Sequence, residues 1–262
     1  MGLTKIILRR LFFLPFFCIV LSWGPSLLAW SSQDIPFAPG ERLKFELKWT
    51  FVPAGEATLE VLPSEKVDGR NAYHFVMTAR SNSFVDAFYR VRDRIDAYTD
   101  MAMNGSLLYL KKQREGPTKR DEKVIFDQVE LKARYQRLGE KKDKEINIMP
   151  GTFDPLAVFF FARMIDMSVG MQIEKPVSDG QKIVIGRAKI VKKEKIEVPA
   201  GKFKTFLLEP ELKHIGGVFK KSKDASIKLW VTADKRHIPV KIASKVAVGY
   251  FTGELISAKG LK

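Results

Sequence analysis

The densest group of side chains that could carry out chemistry is the run RVRDRIDAYTD at residues 90–100. Two carboxyl groups about 5–10 Å apart are the basic requirement of a glycosidase, and Asp93, Asp96 and Asp100 alternate here with arginines. On a strand, Asp96 and Asp100 share a face with Arg94, whereas Asp93 points to the other face. This arrangement favours ion pairs on a solvated face. Burial that raises the pKa of one carboxyl of such a pair would instead favour catalysis.

The three histidines, His74, His214 and His237, do not pair with one another at metal-ligand spacing. The sequence also lacks the H-E-x-x-H, G-x-S-x-G and S-x-x-K motifs of common hydrolases. We expect each histidine to be a surface or edge residue, although a triad assembled from distant residues remains open. The sequence therefore predicts no enzyme, no metal site and no cofactor.

The first 31 residues have the layout of a secretory signal peptide. Three basic residues precede an unbroken apolar run at residues 11–21, and a Ser-Trp-Gly-Pro-Ser breaker cluster follows it. Cleavage after Ser31 places small residues at the two positions that a signal peptidase reads. The alternative is an uncleaved anchor, but eleven apolar residues are fewer than the roughly 20 that a spanning helix needs, unless the segment continues to Trp30. We predict a periplasmic protein that begins near Ser32 and keeps no stable transmembrane anchor.

The remaining residues, 32–262, contain no cysteine, because Cys18 lies in the leader. Disulfides, cysteine-ligated zinc and cysteine nucleophiles are therefore excluded from the exported part. Loss of the three basic leader residues lowers the formal net charge from +15 by three, to +12. In a bacterial envelope such basicity either serves solubility alone or points to a lipid or an anionic envelope polymer as partner, and not to nucleic acid.

Alternating hydrophobicity predicts the architecture. In RLKFELKWTF the apolar residues occupy every second position, which is typical of a strand with one dry face. Similar segments recur along the chain, and a dozen or so antiparallel strands with one dry face must curl or form two layers. We predict a mainly β single domain over residues 32–262, built as a curved antiparallel sheet, an incomplete barrel or a two-layer β domain with one buried helix.

That helix is predicted at about residues 153–167, between two strand-rich halves. Thr152 or Asp154 can cap it, and Pro155 in the first turn costs no hydrogen bond. Leu156, Phe159, Phe160 and Met164 follow helical spacing, and further apolar residues make the segment apolar nearly all round. We expect this helix to cover the dry face of the sheet.

The tetrapeptide VPAG occurs twice, at residues 52–55 and 198–201. Proline presets the second position of a type I turn, and glycine accepts the left-handed position from which a strand re-enters the ladder. Both copies are flanked by alternating segments. We therefore interpret both as hairpin corners.

Several segments, in their order and spacing, resemble the secreted bacterial family called domain of unknown function 3108. They are FVPAGEATLEV, RVRDRIDAYTD, DPLAVFFFAR, EVPAGKFKTFLLEP and LWVTADKRHIPVKIASKVAVGYFTGEL. The resemblance covers nearly all of residues 32–262. It implies export and a β architecture, and it implies no activity, substrate or catalytic residue.

Two functional hypotheses follow. The first is a non-enzymatic binding protein that holds a lipid or other amphiphile in the concavity, with contacts from Leu43, Phe45, Leu47, Trp49, Phe51, Leu156, Phe159 and Phe160. The second is a structural or assembly factor that contacts envelope polymers or a protein partner. A cavity lined by Phe and Leu favours the first, and a filled core with an exposed apolar patch favours the second.

Overall fold

Fourteen strands and two short helices make up the part of the chain that this computed structural model describes, residues 35–140, 143–211, 225–246 and 249–262. The predicted signal peptide and His214 lie outside these ranges. The elements in chain order are β1 (Arg42–Trp49), β2 (Val52–Val67), β3 (Arg70–Ser81), α1 (Ser83–Asp86), β4 (Arg92–Asp100), β5 (Ser106–Glu115), β6 (Thr118–Asp127), β7 (Lys132–Arg137), β8 (Asp143–Asn147), α2 (Ala157–Ala162), β9 (Gln172–Ser178), β10 (Ile183–Val198), β11 (Gly201–Pro210), β12 (Ser226–Thr232), β13 (Pro239–Val246) and β14 (Gly249–Lys259).

All of these strands belong to one antiparallel sheet, in the order β8-β7-β6-β5-β4-β3-β2-β1-β14-β13-β12-β11-β10-β9. The first and last strands pair in its middle, with Arg42 opposite Lys259. The prediction of a mainly antiparallel β fold is confirmed. Because strand direction alternates, the β1–β2, β3–β4 and β13–β14 connections lie on one rim, here called rim A, and the β2–β3 and β10–β11 connections lie on the opposite rim B.

The main core forms where α2 packs on the inner face of the sheet. Phe160 stacks on Phe75 with ring centroids 4.0 Å apart, and Phe37 meets both rings edge-on. All three side chains are almost completely buried. Alternate side chains of β3 to β7 complete this cluster. Because alternate residues of a strand share a face, the period-two pattern of the sequence produces one apolar face of the sheet.

The predicted helix at 153–167 is too long, because α2 has only six residues. Before it, Phe153 makes a parallel bridge to Val177 and is held in extended form. After it, the Arg163 N–H donates to the Phe160 carbonyl and the Met164 N–H donates to the Phe161 carbonyl. Both are hydrogen bonds to the third preceding residue, as in a 3₁₀ turn. Tighter turns of this kind commonly end a helix.

The two VPAG copies serve different purposes. At the second copy, β10 ends at Val198 and β11 begins at Gly201, whose φ of 131° favours glycine, so this copy is a corner. The first copy lies inside β2, and the chain turns earlier, at Thr50 with φ 57°. There the tetrapeptide forms a bulge, because the register opposite β1 skips a residue between Pro53 and Gly55. The prediction of a corner was wrong for this copy.

Candidate functional site

An apolar cavity of about 350 Å³ lies between α2 and the sheet. One wall comes from alternate residues of β1, β2 and β3, which face inward together because Phe45 pairs with Ala57 and Leu59 pairs with Met77. The segment around α2 and strands β12 to β14 close the other sides. Its principal apolar lining residues are Phe45, Leu47, Ala57, Leu59, Met77, Pro155, Leu156, Phe159, Leu229, Pro239 and Ile242.

Four of the eight residues predicted to bind a ligand line this cavity, namely Phe45, Leu47, Leu156 and Phe159. Leu43 and Phe160 are buried in the core nearby. Trp49 and Phe51 are exposed, by 48% and 89%, so the predicted dry stripe stops at Leu47. The physical reason is that β1 ends at Trp49 and the following turn places Phe51 at its tip on rim A.

The far wall of the cavity could not be predicted from the sequence. Leu229 and Ile242 face each other across β12 and β13, nearly two hundred residues from β1 in the chain. They reach the cavity because β1 pairs with β14 and β14 pairs with β13. By contrast, the alternation in EATLEV already indicated that Ala57 and Leu59 share a face.

The cavity offers almost no hydrogen-bonding groups to an occupant. Lys241 is its one charged lining residue, and the Lys241 ammonium already donates to Glu254 Oε1 at 2.6 Å. A polar group covered by this lining would lose hydration without gaining a hydrogen-bond partner. The volume lies at the lower end of the range of small-molecule sites, about 300–1,000 Å³. The chemistry therefore suits a short apolar chain.

A buried carboxyl fixes the start of α2. Asp154 Oδ1 accepts hydrogen bonds from the Leu156 and Ala157 backbone N–H groups, at 2.8 and 2.9 Å. The Ser106 hydroxyl donates to Asp154 Oδ2 at 2.5 Å. Complete burial raises the pKa of Asp154 to about 6, although these hydrogen bonds oppose the rise. Of the two predicted caps, Asp154 is the one that contacts the helix.

A buried ion pair fixes the end of α2. Arg163 donates from Nη1 and Nη2 to the two oxygens of Glu41, at 2.5 and 3.0 Å, and both side chains are at most 2% exposed. Arg163 Nε donates to the Arg236 carbonyl, and His237 Nδ1 donates to the Arg163 carbonyl at 2.8 Å. The helix that forms one wall of the cavity is thus held at both ends by buried polar contacts.

A polar groove of about 700 Å³ lies on the opposite face of β14 and β1 to β4. Two of its ion pairs are internal, from Lys44 to Glu56 at 2.7 Å and from Arg42 to Glu60 at 3.4 Å. Six cations and three acidic residues line the groove, so it carries a net positive charge: Arg42, Lys44, Arg80, Arg92, Arg94 and Lys259 against Glu56, Glu60 and Asp93.

Asp96 takes part in buried ion pairing. Burial by itself would raise the pKa of Asp96, but hydrogen bonds from His74 and Arg94 outweigh it and lower this pKa to about 2. His74 Nε2 lies 2.9 Å from Asp96 Oδ1, and its Nδ1 lies 3.0 Å from Glu65 Oε1. With both ring nitrogens engaged, His74 is buried, as is His237. The expectation of surface histidines was wrong for these two, because partners on other elements satisfy their rings.

The other two acidic residues of the run, Asp93 and Asp100, lie in different surroundings. Burial raises the pKa of Asp93, and a hydrogen bond with Glu115 adds to the rise. Asp100 Oδ1 accepts backbone N–H bonds from Ala102 and Asn104, which is a turn-stabilising role.

Metal clusters and membrane-spanning helices are both absent from the described ranges. No group of three or more His, Cys, Asp or Glu side chains there is arranged to hold a metal ion. With four and six residues, α1 and α2 are both too short to span a bilayer.

Comparison with known proteins identifies a family and a fold. The model of the family described as "Protein of unknown function (DUF3108)" matches residues 44–256. No curated protein matches the chain. A beta-barrel-like protein of domain of unknown function DUF1849 from Brucella abortus has a TM-score of 0.56 at 9% identity, over 87% of this chain and 100% of its own. A hypothetical protein from Chlamydia trachomatis gives 0.40 at 8% identity, over 87% and 91%. At such identities the Brucella likeness concerns the fold alone.

Proposed function

We propose that this chain, which belongs to the DUF3108 family of proteins of unknown function, is an exported, non-enzymatic binding protein for a lipid or other amphiphile. The observation that carries the proposal is the apolar cavity of about 350 Å³ beside α2. This cavity opens to the surface, where its lining residue Ile242 is 42% exposed, and exposed apolar concavities of this kind usually mark binding sites. A hydrocarbon chain seated there would remove the apolar lining from water.

The lining defines the chemical class of that occupant. Phe45, Leu47 and Phe159 present hydrocarbon, and the ammonium of Lys241 is held by Glu254. The part of the ligand inside the cavity should therefore be an unbranched or lightly branched hydrocarbon chain with no hydrogen-bonding atoms. Its polar head belongs outside, where water or basic side chains can solvate it.

The N-terminal sequence supports export to the periplasm. A basic start, a short apolar run and a breaker cluster precede Ser31 and Ser32. We expect the processed protein to begin near Ser32. N-terminal sequencing of the protein isolated from the envelope checks this, and an intact Met1 on a membrane-bound chain would contradict it.

Binding is tested by titrating the delipidated protein with a fluorescent fatty acid. Ala57 is half-buried and lines the cavity, so Ala57→Leu places three additional carbon atoms in the space that the chain would occupy. We expect it to weaken binding by at least about tenfold. The matched control is Ala188→Leu, a half-buried alanine on β10 that pairs with Ile173 and does not line this cavity.

Saturable binding that Ala57→Leu weakens and Ala188→Leu preserves would support the proposal. Thermal melting of both variants shows whether each still folds. Absence of saturable binding by the unchanged protein would refute the proposal, and so would equal weakening by the two variants when both remain folded.

The cationic groove favours a second candidate, a structural or assembly factor that contacts an anionic envelope polymer. Arg80 and Lys259 line the groove and form no ion pair with any described residue. They remain available to phosphate or carboxylate groups of a polymer. Arg80→Glu should reduce retention on immobilised lipopolysaccharide while leaving fatty-acid binding unchanged. Unchanged retention on lipopolysaccharide together with weakened fatty-acid binding would rule out this candidate.

A further inference from the structure

The exposed aromatic side chains are confined to one rim of the sheet. Of the large apolar residues that are at least 40% exposed in the described ranges, every aromatic one lies on rim A: Trp49, Phe51, Phe84, Phe88, Tyr89, Tyr250 and Phe251. The apolar residues exposed on rim B include Val129 and Met149, and none of them is aromatic. Large exposed apolar patches usually mark interaction sites.

These aromatic residues form one surface, because they come from neighbouring strands. Trp49 and Phe251 stack with ring centroids 6.4 Å apart, and Phe84 meets Phe88 edge-on at 5.4 Å. The α1 loop is tied to the β1–β2 turn region, since Asn82 Nδ2 donates to the Pro53 carbonyl at 2.7 Å. The Thr50 N–H donates to the Tyr250 carbonyl, which ties the same turn to β14. We call the seven residues together the aromatic rim.

The charges beside the aromatic rim indicate what kind of surface it contacts. Arg80, Arg90 and Lys245 are exposed on rim A, and none of the three forms an ion pair with another described residue. The exported part, residues 32–262, carries a formal net charge of +12, which is the +15 of the whole chain less the three basic leader residues. A second copy of the chain would bring like charges together, which disfavours self-association through this rim. A partner with a negatively charged surface and an apolar interior beneath that surface is complementary to the aromatic rim and its cations.

We propose that the aromatic rim docks on the surface of a lipid bilayer that carries anionic head groups. Tryptophan and tyrosine combine an apolar ring with a polar edge and are favoured at the interface between lipid and water. Phenylalanine can insert below them, while Arg80 and Arg90 interact with the head groups. Both kinds of contact are available at the same end of the molecule.

The aromatic rim is also continuous with the apolar cavity. Leu47 and Gly253 line the cavity and pair with each other, and two residues further toward rim A the next pair on the same face is Trp49 and Phe251. Docking would therefore bring the bilayer against the rim side of the cavity, which gives an acyl chain a short path from membrane to protein. The docking surface is inferred independently of the cavity, and only this entry route rests on the proposed function.

Vesicle flotation tests the docking. The processed protein is mixed with vesicles of phosphatidylcholine plus phosphatidylglycerol, and separately with vesicles of phosphatidylcholine alone. We expect stronger binding to the anionic vesicles and a loss of binding at high salt. Replacing the two most exposed phenylalanines, as Phe51→Ser with Phe88→Ser, should weaken binding to anionic vesicles by at least about tenfold.

The control is Val129→Ser with Met149→Ser, which removes exposed apolar side chains from rim B. Equal loss in the two double variants, or no binding of the unchanged protein to anionic vesicles, would overturn the docking proposal. A concentration-dependent dimer that only the rim A variant disrupts, without vesicle binding, would overturn it in favour of self-association. Fatty-acid titration in vesicle-free solution reports on the cavity separately, so failure of docking and failure of ligand binding can be distinguished.

Discussion

Neutralising Glu41 should destabilise the protein far more than neutralising an exposed acid. Arg163 is 1% exposed and its guanidinium donates to both oxygens of Glu41. In Glu41→Gln the shape is retained, but the positive charge of Arg163 stays buried without its counter-ion. Breaking a buried ion pair from one side costs about 3–5 kcal/mol of unfolding free energy. This is a large share of the roughly 5–15 kcal/mol that stabilises a typical domain.

Urea unfolding of three variants measures the effect and its origin. Glu41→Gln and Arg163→Met remove one partner each, and the double variant removes both charges. Because the double variant leaves no unpaired charge, its loss of stability should be smaller than the sum of the single losses by at least about 1 kcal/mol. The control is Glu197→Gln, whose partner Lys202 is 78% exposed, and this change should cost less than about 1 kcal/mol. Additive losses, or a Glu41→Gln cost no larger than the control, would refute the reasoning.

Three further predictions concern single residues. Burial raises the pKa of Asp154 to about 6, so the folded state binds this proton more tightly than the unfolded state does. The unfolding free energy should therefore fall by about 3 kcal/mol as pH rises from about 4 to 6. In urea titrations, Asp154→Asn should flatten this slope. The pKa of Asp96 is shifted in the opposite direction, to about 2. Its ion pair should therefore contribute about 2 kcal/mol to the unfolding free energy at neutral pH, and this contribution should disappear as pH falls from about 4 to 2. Asp96→Asn should lack this acid-sensitive contribution. Gly201→Val should cost about 1–2 kcal/mol through strain at φ 131°, and Pro199→Ala should cost less; an unchanged melting temperature for Gly201→Val would contradict the corner interpretation.

The sequence was sufficient to predict features that depend on neighbours along the chain. A period of two placed Phe45 and Leu47 on the inner face, and helical spacing placed Leu156 and Phe159 on the segment that covers that face. Asp154 was one of two candidate caps and is the one that contacts α2. In each case the deciding interaction lies within a few residues.

Features that depend on distant strands could not be predicted in the same way. Leu229 and Ile242 enter the cavity wall only because β14 pairs with β1, and no local pattern encodes that pairing. His74 is buried because its two ring nitrogens lie within hydrogen-bonding distance of Glu65 and Asp96 on the two neighbouring strands. Phe51 continues the alternating pattern of β1 but lies beyond the end of the strand, so its side chain is in solvent.

Photolabelling with a fatty acid that carries a diazirine near the end of its chain tests the central claim most directly. After irradiation, peptide mass spectrometry locates the residues that the apolar end of the chain contacts. We predict adducts on cavity residues such as Leu47, Ala57, Phe159 and Ile242, and competition by unlabelled fatty acid. Adducts restricted to the outer cationic groove, or labelling that unlabelled fatty acid does not reduce, would contradict the claim that this cavity binds an apolar chain.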